Sequence, residues 1–172
     1  IYNHYNEIIY IEASKNIKNR INRLFTSNKF IPKSIQNNIK NVEVEATGSF
    51  DIALIKKFIE IDHIKPAFNK IDYVNYDKSI KDFNSPSKEF LIIDNGRSPE
   101  EKSFLLVSSK KIIGYGFYEL NNQINTKKKL YSRLININQN QNVDNILNYI
   151  ITKQKFKKLI PLNKIYITST IE

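Results

Sequence analysis

Three apolar runs follow one another between residues 90 and 120 with only turn-forming residues between them, and this succession constrains the chain more than any other feature. "FLIID" (90–94) enters the turn "NGRSPEEK" (95–102), and "SFLLVSSKKIIGYGFYEL" (103–120) holds two further runs on either side of Ser109-Lys110. Short β-branched and aromatic runs bounded by Gly, Pro, Asn and Ser read as strands, and connections this short join strands as hairpins. The "GYGF" of residues 114–117 lies inside a run, where glycine marks a bulge more often than a cofactor loop.

The rest of the chain alternates strand-like and helical patterns. "IYNHYNEIIYIEA" reads as a hairpin turning at Asn6-Glu7. Ser14 is a good N-cap for a basic amphipathic helix carrying Ile17, Ile21, Leu24 and Phe25, with Lys15, Lys18, Arg20 and Arg23 around it. Pro32 suits the first turn of a short helix with Ile35 and Ile39, and "NVEVEAT" alternates as a half-buried strand that joins the hairpin. Gly48-Ser49 then starts a central helix, "FDIALIKKFIEIDHI", apolar on most of its circumference and ended by Pro66. "DNILNYIITKQKF", from Asp144, has helical spacing. The expected fold is α+β: a small three-stranded antiparallel sheet with flanking helices in residues 1–70, a linker over 71–88, and a strand-rich subdomain with a terminal helix over 89–172.

Composition narrows the function classes. Lys and Arg number 27 against 17 Asp and Glu, a net charge of +10 that suits a polyanionic partner, nucleic acid before anionic membrane. Part of that charge follows a general excess of Ile, Asn and Lys, the mark of a base composition rich in A and T. Cysteine is absent, which removes disulfides, thiolate nucleophiles and cysteine metal sites. Only His4 and His63 are left as nitrogen ligands, and both read as ordinary surface or partly buried side chains. No apolar run is long enough to span a bilayer and no signal peptide is evident, so the cytoplasm is the expected location. Position 1 is not Met and lies in an apolar strand-like segment, from which residue 1 is expected not to be a natural start.

No Gly-rich phosphate loop, Ser/His/Asp arrangement or two-His spacing is present. What stands out is a hairpin bearing Tyr2 and Tyr10 before a helix bearing Arg20: phenols near a phosphodiester and a guanidinium whose fork matches two phosphate oxygens. Taken bare, Tyr in strands and Arg on helix faces have a plain packing explanation.

"IYNHYNEIIYIEASKNIKNR" resembles the start of a GIY-YIG nuclease domain, with Ile1-Tyr2 and Tyr10-Ile11-Glu12 at the two halves of that motif and Arg20 ten residues after Tyr10. "ATGSFDIALIKKFIEIDHIKPAFN" resembles the family's second-helix region in the version carried by the bacterial excision-repair endonuclease. The tail "FLIIDNGRSPEEKSFLLVSSKKIIGYGFYEL" is similar to that of a group in which the module follows an exonuclease of the DNA polymerase III epsilon type. The resemblance implies catalytic roles for Tyr2 as general base, Tyr10, Arg20 on the scissile phosphate and Asn69; DNA contacts by Lys15, Lys18, Arg20 and Arg23; Mg²⁺ or Mn²⁺ as cofactor; and DNA, an upstream exonuclease domain and replicative polymerase subunits as partners.

The chain departs from the pattern at telling positions. Lys57 stands where the family has its metal-binding Glu, and an ammonium has no lone pair for a hard cation. Glu60 lies one turn along, displaced by roughly 4.5 Å of helix rise. Glu12 replaces the motif's second Gly and puts a carboxylate where a phosphate would approach; Ala13 replaces a basic residue. Three readings stay open: a DNA-binding module in which catalysis is weakened, a working endonuclease with Glu60, Glu12 or Asp51 as a displaced ligand, and a decaying fragment with no independent function. Membrane binding is disfavoured because the helices' apolar faces are needed by the fold.

Overall fold

A computed structural model describes residues 1–27, 32–69, 87–138, 141–153 and 156–165. Its centre is a five-stranded antiparallel sheet in the order β4-β3-β2-β1-β5, built from β1 (Glu89–Asn95), β2 (Glu101–Ser108), β3 (Lys111–Glu119), β4 (Ile135–Asn136) and β5 (Lys158–Pro161). The three apolar runs are therefore the three middle strands. They are near-continuous rather than alternating because both faces of the sheet are covered. Phe90, Ile92, Leu105, Val107, Ile112 and Tyr115 pack on one side, whereas Leu91, Ile93, Phe104 and Leu106 pack on the other.

The first face is covered by α3 (Phe50–Ile64), through Ile52, Ile55 and Phe58, and by α5 (Gln141–Lys153), through Val143, Ile146, Leu147, Ile150 and Ile151. The second is covered by α4 (Lys127–Ser132), through Leu130, and by α6 (Leu162–Ile165), through Leu162 and Ile165. The sequence reading places α3 with residues 1–70, yet its inner face lies in the core of the sheet that follows. The backbones meet there too. Gly48, in left-handed conformation at φ 69°, runs so close to the β1–β2 turn that a Cβ on it would lie 2.1 Å from the Gly96 carbonyl. Only a residue without Cβ fits both demands.

Turn chemistry sets the register. Ser109 and Lys110 take φ of 50° and 63°, the pair of left-handed residues that a two-residue hairpin needs to match strand twist. The β2–β3 ladder shifts between Leu106 and Val107, which pair with Gly114 and Ile112, leaving Ile113 as a bulge beside the expected glycine. Gly116 is required by close packing: a Cβ would sit 2.3 Å from the Arg133 carbonyl and 2.5 Å from the Phe104 ring. The chain after α4 is thereby laid against β3.

Among the described residues before α3, α1 (Ile17–Thr26) and α2 (Lys33–Gln36) contribute Leu24 and Ile35 to a small core with Ile9. The expected three-stranded sheet is reduced here to two isolated bridges, Tyr2 with Ile8 and Tyr2 with Asn41. The pattern failed because the alternation does not divide the stretch into a buried and a wet face: Glu43 and Glu45 pair with Tyr2 and Lys56 while staying exposed, and Val44 is 53% exposed as well. Ser14 is not the cap of α1. Asn16 is, its side chain accepting from the Asn19 N–H, while Ser14 bonds to the Asn16 backbone. The helix from Asp144 begins at Gln141, and it is not terminal, since β5 and α6 follow. The expected linker lies largely outside the described residues.

Candidate functional site

The strand-like start of the chain, α1 and the outer side of α3 enclose an open cleft of about 500 Å³ lined by Tyr2, Tyr10, Glu12, Arg20, Lys57 and Glu60, among others. Tyr10 packs its ring on the small core and sends its hydroxyl out. That hydroxyl donates to Glu12 Oε2 at 2.6 Å. Arg20, one turn into α1, donates through Nη2 to the same oxygen at 2.5 Å, and Lys57, in the middle of α3, reaches Glu12 Oε1 at 3.2 Å. The Ala13 N–H also donates to Oε1, at 3.1 Å. The start of the chain, α1 and, from 45 residues away, α3 thus converge on one carboxylate.

Burial makes this convergence matter. The Arg20, Lys57 and Glu12 side chains are 22%, 21% and 19% exposed, so water screens the pairs less than it would on an open surface. Burial alone would raise the Glu12 carboxyl, but the Tyr10 hydroxyl, Lys57 and Arg20 outweigh it and hold it below the ordinary carboxylate range. The Tyr10 phenol is pushed up to about 12, first by burial and then by the Glu12 carboxylate. Tyr2 donates to Glu43 Oε2 at 2.9 Å, and this bond raises its pKa as well. A general base works best with a pKa near the working pH, and both phenols are moved the other way.

The centre does not fit Mg²⁺ or Mn²⁺. A hard divalent cation needs several oxygen acceptors, whereas Glu12 is surrounded by an ammonium, a guanidinium and a hydroxyl donor. Glu60 lines the cleft, but Asp51 lies at the other end of α3, against Asp94 and near Lys15. Among the described residues no group of three or more Asp, Glu or His is placed to hold a metal ion.

The structure brings Tyr2, Tyr10 and Arg20 to one cleft and leaves Asn69 out of it. Asn69 instead braces the floor: its Oδ1 accepts from the Ile11 N–H at 2.7 Å and its Nδ2 donates to the Ile11 carbonyl at 2.8 Å. Lys18 and Arg23 on α1 and Lys15 just before it are exposed outside the cleft, with the Lys15 ammonium 5.0 Å from the centre of the Phe50 ring. His4 and His63 are exposed. Sequence reasoning missed Glu43, Glu45 and Lys56, which join Glu60 in the cleft wall; Lys56 meets Glu45 at 2.5 Å. The available signal was the "VEVEA" alternation, whose second acidic position, Glu45, meets Lys56 of α3 while the first, Glu43, accepts from Tyr2. The cleft therefore carries Glu12, Glu43, Glu45 and Glu60 against Arg20, Lys56 and Lys57, and the chain's positive excess lies elsewhere.

No family model, curated protein or solved structure matches this chain. No helix among the described residues is long and apolar enough to cross a membrane.

Proposed function

We propose that this chain is a DNA-binding module of GIY-YIG nuclease ancestry, acting within a DNA replication or repair protein, in which the nuclease centre has been closed by its own side chains. The observation that carries this reading is the gathering of Tyr10, Arg20 and Lys57 on the Glu12 carboxylate. Those three donors are the kind of set that grips a phosphate, and here an internal anion occupies it. Lys57 supplies positive charge where the resembling family places a metal ligand. DNA contact falls to the exposed cations Lys18 and Arg23 of α1 and Lys15 just before it, with Arg20 committed to Glu12.

The test pairs binding with cleavage. Nicked, forked and duplex DNA are titrated with the chain at several salt concentrations, and the same substrates are incubated with Mg²⁺ and Mn²⁺ beside a Lys57→Glu variant. Expected are binding that weakens steeply with salt and no strand scission by the parent. Binding that ignores salt, or metal-dependent cleavage by the parent that Tyr2→Phe abolishes, overturns the reading.

A further inference from the structure

Residues 120–143 contain Lys127, Lys128, Lys129 and Arg133 and not one carboxylate. The structure places α4, which carries Lys127, Lys128 and Lys129 and has Arg133 at its end, on the sheet face opposite α3. Leu130 is fully buried and pins α4 down, and the Thr126 hydroxyl accepts the Lys129 N–H at its start. The opposite side of the helix is open: Lys127 and Lys128 are exposed, and Tyr131 is 51% exposed. Spacings of four and three residues put both lysines on the turn that Tyr131 leans over. Arg133 follows, its guanidinium donating to the Asn122 carbonyl at 2.9 Å, a neutral partner that leaves its charge uncompensated by that bond.

We propose that this open side of α4 binds single-stranded nucleic acid, the lysines and Arg133 contacting successive phosphates and the Tyr131 ring stacking on a base. The charge complements a polyanion, and an aromatic face beside a cationic track is the arrangement that holds unpaired bases irrespective of sequence. An open ring is poorly suited to a duplex, whose bases are already stacked. This surface is separate from α1 and from the cleft, so the inference does not rest on the function proposed above.

The test is fluorescence anisotropy of labelled dT20 with the parent chain, Tyr131→Ala, a Lys127→Gln/Lys128→Gln double variant and a Lys15→Gln/Lys18→Gln/Arg23→Gln triple variant. All substitutions are at exposed positions, and near-ultraviolet dichroism checks the fold of each. Expected is binding that Tyr131→Ala weakens about five- to a hundred-fold. The lysine double variant should make the salt dependence shallower by about 0.7 in log–log slope for each phosphate that is no longer neutralised. The α1 variant should leave dT20 binding intact even where duplex binding falls. No dT20 binding by the parent, or equal binding by the α4 variants, overturns the proposal. So does tighter retention on phosphatidylserine vesicles than on dT20 with the same dependence on Lys127, Lys128 and Tyr131, which assigns that side of α4 to a membrane surface.

Discussion

At Glu12 two cations and a phenol share one carboxylate, and removing that charge leaves Arg20 and Lys57 half-buried without their common counter-ion. Glu12→Gln should destabilise the fold by about 1–3 kcal/mol. The measurement is thermal melting at pH 7, with sulfate raising the melting temperature of the variant more than that of the parent because the vacated donors accept an oxyanion. The sign with pH follows from the lowered carboxyl. Its stabilising effect is present above the unfolded value of 4.5 and fades as pH falls through the folded one, so parent and variant converge in acid. Tyr10, Glu12, Arg20 and Lys57 could each be singled out from sequence. Their meeting could not, because Glu12 and Lys57 are 45 residues apart and no local pattern reports a long-range ion pair.

Helix α3 was legible to the residue. Gly48-Ser49 and Pro66 bracket it, and its apolar surface is too broad for a half-exposed helix. The hairpins of β1 to β3 were legible for a similar reason, since turn residues and apolar runs agree. Of the elements of two to six residues, α2 was announced by Pro32, but α4, β4, β5 and α6 were not, because segments so short have almost no intrinsic stability and depend on one or two anchors such as Leu130, or Leu162 with Ile165. The N-terminus of α3 carries a tension of its own. The Asp51 carboxyl is pushed up to about 6 by burial and then by Asp94, with Lys15 opposing. Between 3.8 and about 6 the native state holds more proton than the unfolded chain, so stability falls as pH rises through that window. Asp51→Asn should therefore raise the melting temperature at pH 7, by a stability gain on the order of 1 kcal/mol after solvent screening and the forfeited helix-dipole attraction, and change little at pH 4.

Across the whole molecule, α3 joins what the sequence reading divides: one side lines the cleft through Lys56 and Lys57, and the other enters the sheet's core through Ile52, Ile55 and Phe58. Ile55 is fully buried, and Ile55→Ala should cost about 2–5 kcal/mol. Residues 89–172 alone should bind an apolar dye and lose near-ultraviolet dichroism, whereas residues 47–172 retain it; a native-like spectrum from the shorter piece would show that the sheet does not need α3. Asn69 has a mechanical consequence of a different kind. It grips both backbone groups of Ile11 across a separation of 58 residues, in a chain that has no disulfide to do so. A force entering from position 70 onward is carried through those two hydrogen bonds to Ile11, which lines the cleft between Tyr10 and Glu12, so tension on the chain beyond Asn69 is felt at the cleft.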